Sequence, residues 1–452
     1  MTSNIKIFLK IAAVLLLIFT ASRTFGEESA VSTARVLTLN DAVAIAIMNN
    51  KPIQIQEQEV EFARAGILDA QSIFYPQVGT GFAYTYTDAV VETKDTTPRD
   101  RKDRRMFFGY KNDNLFSLSA AQTVYNGGAN SANLMQAKLG LKVQQETLRA
   151  RKLYVEFEAR RLFYGLLLAY EVERITRDLY ENTRAHYDDV KTKYGQGTAS
   201  KFDVLQSSVQ VSKVMPELIK AENATELIMA ELKKLLSIDQ GERVRVDGHL
   251  TYSLVEIQEG KFLQEAYRYR PEVILKKLGI DVQKWAIEYA KAGYYPQVTA
   301  STGYTTRSND IGRMLDSRHD NWTIGVKASL SIFDGFSTKA KVDEAKAKYS
   351  QANLDKADVI DQTAVDVKSA CLDLKQSKAI IDAEKDSIVE AKEVVKIAEI
   401  GYDNGVTTNL DVLDTLISLS QVQKNLSEGI YDYLLAQAQL DRLMGREFKK
   451  GD

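Results

Sequence analysis

Residues 74–78 read FYPQV and residues 294–298 read YYPQV. Each pentapeptide closes a stretch of helical periodicity and opens one that alternates, so Pro76 and Pro296 stand where a helix stops and a strand begins. Past the first junction, Val78, Thr80, Phe82, Tyr84 and Tyr86 share one face against Gly79, Gly81, Ala83, Thr85 and Thr87. A second run sets Phe116, Leu118, Ala120, Gln122 and Val124 against Ser117, Ser119, Ala121 and Thr123. The cleanest alternation follows the second junction: Trp322, Ile324, Val326, Ala328, Leu330 and Ile332 against Thr323, Gly325, Lys327, Ser329 and Ser331. Strands are therefore expected at about 76–88, 114–125, 296–307 and 321–333.

One face of each strand is apolar and the other small and polar. That pattern fits a half-buried sheet in a soluble protein, and it fits a barrel with lipid outside and water inside. Each strand has the roughly ten residues that a tilted membrane strand needs. Tyr84, Tyr86, Tyr304 and Trp322 could form interfacial girdles, and polar loops near 90–114 and 307–321 join the pairs. Beyond the N-terminus no run is apolar for long enough to cross a bilayer as a helix, so a spanning part must be a closed barrel. Four strands cannot close one, and such a chain must assemble.

A shift of 208 residues carries Tyr125-Asn126-Gly127 onto Phe333-Asp334-Gly335, Tyr194-Gly195-Gln196-Gly197 onto Tyr402-Asp403-Asn404-Gly405, and Phe202-Asp203-Val204-Leu205 onto Leu410-Asp411-Val412-Leu413. Three matches in one register mean an internal duplication whose intervening segment has one fixed length. That segment, from about Ala129 to Gln196 and from Ser337 to Asn404, lacks proline. As a continuous helix it would extend roughly 100 Å at 1.5 Å per residue. In the second copy Ile360, Val367, Leu374, Ile381, Ile388, Val395 and Tyr402 fall seven apart, a coiled-coil seam with left-handed winding. Three residues on stand Thr363, Ala370, Ser377, Glu384, Ala391 and Ala398, mostly small, so neighbouring helices can approach closely. Shorter helices are expected from Leu37 to about Gln71, from Phe202 to about Leu236 with a kink or break at Pro216, from Lys261 to about Lys291, and from Leu410 to about Leu443. Each short pair nearly equals its long neighbour in length and would stack along it.

Lys6 and Lys10 precede the apolar run IAAVLLLIFT at 11–20, and Gly26 can close a cleavage site. Residues 1–26 read as an export signal, with a single membrane anchor as the alternative. The expected layout is then a first repeat at 27–236, a linker or equatorial region at 237–260, a second repeat at 261–445 and a tail at 446–452. With 44% hydrophobic and 27% charged residues the chain can bury a large core, and its formal charge of −2 suggests no nucleic-acid partner. The lone cysteine, Cys371, falls in a helical pattern, and His186, His249 and His319 make no metal-spaced pair. Zinc motifs, phosphate loops and a serine-nucleophile elbow are absent, which argues against an enzyme.

Over nearly its whole mature length the chain resembles the TolC family of outer-membrane efflux proteins. The resemblance is carried by LTLNDAVAIAIMNNKP, FYPQV and YYPQV, VYNGG and IFDG, YGQGTASKFDVLQ and YDNGVTTNLDVLD, in order, duplicated and correctly spaced. It implies a mainly α protein with membrane β: a homotrimer in which four strands per protomer form a twelve-stranded barrel in outer-membrane lipid, continued by a long periplasmic α-helical barrel. It also implies a periplasmic adaptor and an inner-membrane pump or ABC transporter as partners, and no cofactor. Asp203 and Tyr402 match positions that help hold the periplasmic entrance closed, beside hairpin turns at Gly197 and Gly405. Asp411 and Asp414 match carboxylates that ring the constriction. Thr407 stands where a family member has a basic residue, so the resemblance does not carry the ionic part of that lock. From the residues alone, Asp203 and Asp411 can equally be helix caps, and a soluble periplasmic coiled-coil scaffold or adaptor is the alternative to a duct.

Overall fold

The computed structural model describes residues 35–88, 91–94, 105–108, 111–314 and 320–447. The export signal lies outside the described residues, as does most of the tail. Two helices dominate: α3 (Ala129–Gly195) and α7 (Ser337–Asp403), each of 67 residues and so roughly 100 Å long. Along α7 the middle of the expected seam is buried: Val367, Leu374 and Ile381 are at most 1% exposed, and Thr363, Ala370, Ser377, Val395 and Ala398 also lie inside, while Ile360, Ile388 and Tyr402 are half-buried. Helix α4 (Lys201–Leu236) returns along α3, and α8 (Asn409–Leu443) returns along α7. Helix α4 runs unbroken through Pro216, contrary to the break allowed for there. Pro216 and Ser212, whose carbonyl loses its donor, are both exposed, so water can take the place of the missing bond.

Breaks occur instead at two positions through which the apolar pattern runs on. The expected helix from Leu37 is two, α1 (Leu39–Asn49) and α2 (Lys51–Ser72). The one expected from Lys261 is α5 (Glu259–Tyr269) and α6 (Pro271–Lys291). Asn50 (φ −64°, ψ 120°) and Arg270 (φ −61°, ψ 123°) are extended. In a continuous helix the rings of Pro52 and Pro271 would meet the carbonyls four residues earlier, whereas in a first turn their missing N–H costs nothing. Both break residues are buried and anchored: Asn50 Nδ2 donates to the Leu235 carbonyl at 3.0 Å, and Arg270 reaches Asp366 at 2.8 Å and Thr363 at 3.1 Å.

Four long strands, β2 (Gln77–Tyr86), β5 (Asn112–Asn126), β7 (Gln297–Ser308) and β8 (Asp320–Ser329), form one antiparallel sheet in that order. Strand β8 stops short of the expected 333, because Ser329 pairs with Gln297 and the next partner would be Pro296, which has no N–H to give. The register makes the faces coherent. Phe82 lies opposite Phe116, Leu118 opposite Tyr304, and Tyr304 opposite Trp322, on one apolar face. Gly81, Ser117, Thr305, Thr299 and Lys327 lie on the other. Among the described residues there are two smaller pairs: β3 (Val91–Lys94) with β4 (Arg105–Phe108), and β1 (Arg35–Leu37) parallel to β6 (Val244–Val246), which ties the start of the first half to the connection between halves.

Elements before the strands recur 220 residues on (Leu39 to Glu259, Lys51 to Pro271) and elements after them 208 on (Ala129 to Ser337, Lys201 to Asn409). The difference of twelve falls in the β2–β5 connection, which carries β3 and β4. Separate cores are strung along the long helices. One gathers Ala46, Phe163, Leu166 and Leu236, a second Ala266, Cys371, Leu374 and Met444, and a third, near the hairpins, Leu179, Val395 and Val412. Burial pushes the Cys371 thiol up, away from the reactive thiolate.

Candidate functional site

The candidate site is the end of the molecule farthest along α3 and α7 from the sheet, where both helices turn back. Both turns are built alike. Gly197 (φ 83°) and Gly405 (φ 72°) take the left-handed conformation that closes a helix. Thr198 N–H donates to the Lys193 carbonyl at 2.9 Å, and Val406 N–H to the Gly401 carbonyl at 2.8 Å. The returning helices start on capping boxes. The Asp203 carboxylate accepts from Ser200 N–H (3.0 Å) and its hydroxyl (2.6 Å), and Asp411 accepts from Thr408 N–H and hydroxyl, both at 2.7 Å. These bonds, side chain first and backbone second, hold the Asp411 carboxyl below the usual aspartate value.

Within one chain Asp203 and Asp411 thus complete the capping boxes begun by Ser200 and Thr408, and among the described residues no hydrogen bond joins Asp203 to Tyr402. Asp414 is exposed and, among the described residues, has no hydrogen-bond or ion-pair partner. Thr407 donates its hydroxyl to the Ala398 carbonyl at 2.8 Å and fills the space over Gly401, where an added Cβ would lie 2.7 Å from its methyl. Tyr402 is half-buried; burial first, then the charge of Asp203, raises its phenol above the usual range, so it stays a neutral donor.

Residues that sequence reasoning did not single out hold this end together. Asn409, 2% exposed, donates to Gln206 Oε1 at 3.0 Å and accepts from the Ser207 hydroxyl at 2.9 Å and from His186 Nε2 at 2.8 Å, joining α8 to α4 and α3. His186 also packs edge-on to the Tyr402 ring, with centroids 5.3 Å apart. Lys193 reaches from the last turn of α3 to Asp403 at 2.6 Å. The one local signal for it was Asp189, a turn earlier and 2.7 Å away; its partners on α7 are about two hundred residues distant in sequence.

The helix-to-strand junctions lie at the opposite end. Before Pro76 the chain leaves α2 through the turn bonds Phe74 N–H to Gln71 and Tyr75 N–H to Ser72. Before Pro296 a 3-10 turn, Ala292–Tyr294, does the same. Gln122 Nε2 donates to the Ile73 carbonyl at 3.0 Å, pinning β5 to the first junction. Gly127 (φ 65°) passes so near the second that a Cβ would meet the Ala292 carbonyl at 2.6 Å. A cleft of about 1250 Å³ lies between these ends, beside the β1–β6 pair. Its Arg160 is held by Glu156 and Asp441, each at 3.0 Å, as a structural cation between helices.

Comparison with known proteins gives this architecture a family. The family model described as outer membrane efflux protein matches residues 42–237 and 262–446. The outer membrane protein TolC of Vibrio cholerae is 23% identical over 262 residues, which span 57% of this chain and 60% of that protein. The alkaline protease secretion protein AprF of Pseudomonas aeruginosa is 22% identical over 419 residues, 90% of this chain and 84% of AprF. Among solved structures the CmeC outer membrane channel of Campylobacter jejuni superposes with a TM-score of 0.80 at 18% identity, covering 92% of this chain and 87% of CmeC. With the family model matched on both halves, the chain belongs to the outer membrane efflux protein family, whose members are channels of the outer membrane rather than enzymes.

Proposed function

We propose that the protein is a passive exit duct made of three copies of this chain, open to the outside through a twelve-stranded barrel and closed at the hairpin end. The observation that carries this reading is the sheet. Strands β2 and β8 are free edges of a four-stranded sheet whose two faces differ in polarity along its whole length. An exposed apolar sheet with two open edges is an aggregation hazard alone, and closing edge on edge with further copies removes both edges and gives the apolar face to lipid. Assembly is also supported along the helices. Ile55 and Phe62, seven residues apart on α2, are 64% and 77% exposed, as a seam awaiting a neighbouring helix would be.

On this reading residues 27–236 and 261–445 are copies of one unit, joined by 237–260 and followed by a tail at 446–452. The long helices form a periplasmic tunnel. Asp203 and Tyr402 meet across protomers at its entrance, and Asp411 and Asp414, in three copies, ring it with negative charge. A periplasmic adaptor and an inner-membrane pump or ABC transporter supply energy and choose the cargo. AprF is named for the secretion of a protease and another relative, CusC, for cation efflux, so both kinds of cargo fit a wide aqueous tunnel. Opening is an iris-like untwisting of the two hairpins. Planar-bilayer conductance of the detergent-extracted oligomer tests the duct: discrete channels blocked by di- or trivalent cations from the hairpin side are expected. A protein soluble without detergent that never inserts would point to a periplasmic scaffold.

A further inference from the structure

Beside the Asn409 contacts, one ammonium group joins the two hairpins of one chain near their tips. Lys193 Nζ lies 2.6 Å from Asp403 Oδ1, 2.7 Å from Asp189 Oδ2 and 4.6 Å from the centroid of the Tyr402 ring. Asp189 is on the same helix, whereas Asp403 and Tyr402 end the other. One heptad back, His186 covers another side of the same ring. Burial alone would lower the Lys193 pKa, but the bonds to Asp189 and Asp403 outweigh it and raise the net value. The ammonium therefore stays charged through the physiological range.

The arrangement is one-sided. The residue 208 places after Lys193 is Gly401, where Thr407 occupies the space a side chain would need. The second hairpin thus has no room for a matching lysine, and the cation comes from the first. We propose that Lys193 is an intra-protomer latch of the closed entrance, holding α7 to α3 until its hold on Asp403 and Tyr402 is broken. The inference deepens the duct reading and rests on it for its functional meaning. A lysine is well suited to such a latch, being a compact point charge whose three donors can serve two carboxylates while the ring takes part of the charge. Its side chain is 23% exposed and that of Asp403 67%, so the pair is partly screened and weak enough to be released by a binding partner.

The test uses the full chain with two readouts. Spin labels at Thr198→Cys and Val406→Cys, in a Cys371→Ser background and diluted with unlabelled chain, report the distance between the hairpin tips of one protomer. Conductance in planar bilayers reports the gate. Lys193→Met, which keeps the stem over Tyr402 and removes the charge, is expected to broaden the tip distance. It should also raise the open fraction about ten- to a hundredfold, as three latches worth roughly two- to fivefold each would. Asp403→Asn should act in the same direction, the double variant should add nothing to the larger single effect, and Lys193→Arg should stay near the parent. An unchanged tip distance in Lys193→Met, or fully multiplicative effects in the double variant, overturns the latch. A broadened distance in a protein that forms no channel keeps the latch and overturns the duct.

Discussion

Asp411 and Asp414 stand three residues apart on one helix, and the structure gives them different roles. Both are exposed, but the Asp411 carboxylate is engaged by Thr408, whereas that of Asp414 has no hydrogen-bond or ion-pair partner among the described residues. Asp414→Ala is therefore expected to remove most of the block of conductance by multivalent cations, and Asp411→Ala a smaller part; equal effects would contradict this division. The Asp411 cap also has a pH signature. Its folded-state pKa is depressed, so its contribution is complete above the ordinary aspartate value of 3.8. That contribution is lost only as pH falls through the lower folded value. Hairpin stability followed by hydrogen exchange in Asp411→Asn should accordingly converge with that of the parent only in strong acid. Asn409 makes a separate prediction. Asn409→Ala leaves the Ser207 hydroxyl and Gln206 without their partner in a buried site, at a cost of about 1–3 kcal/mol, measurable as a lower thermal midpoint of the extracted oligomer. Sequence reading could weigh capping against gating for Asp203 and Asp411 because a cap is local. It could not find Asn409 or Lys193, whose partners meet them only after α3 and α7 have run their full length side by side.

Among the elements, periodicity predicted long helices well and their interruptions poorly. The seven-residue seam of α7 was legible because each buried position repeats a residue type at a fixed interval. The breaks at Asn50 and Arg270 were not, since apolar spacing continues across both and a proline next to a helix start reads much like one inside a helix. The strands were found by alternation, but the end of β8 was set by its partner: Leu330 and Ile332 keep the alternation, 52% and 96% exposed, after the ladder has run out opposite Pro296. Neighbouring positions on β8 test the sheet's faces. Val326→Arg puts a cation on the apolar face and should cost about 2–4 kcal/mol if that face meets the bilayer midplane, seen as failure of heat-modifiable oligomer to reach the outer membrane. Lys327→Ala, on the opposite face, should leave assembly intact.

Across the whole molecule, the halves agree in their helices and differ in one loop. The second half joins its strands with twelve fewer residues than the first, and β3 and β4 pair with each other outside the four-stranded sheet. Deleting residues 91–108 and bridging with a short polar turn should preserve the β2–β5 register, oligomer stability and conductance; loss of the oligomer would give that hairpin a structural role. This division was visible in the sequence as a shift that held at 208 from Tyr125 onward. The earlier 220-residue offset is carried by the FYPQV and YYPQV junctions themselves, and the helix starts before them share it.

Equal length in α3 and α7 restricts how such a chain can change. One residue inserted in either would lengthen it by 1.5 Å and rotate everything beyond by about 100°, carrying Val395 or Leu179 out of its core and the tip residues out of reach of each other. Growth is permitted only in whole heptads, in both long helices together and with matching additions to α4 and α8. A matched set of seven would lengthen the molecule by roughly 10 Å and leave every contact at the tip unaltered. The distance between the two membranes of a cell envelope could thus be followed in steps, like notches on a telescoping rod.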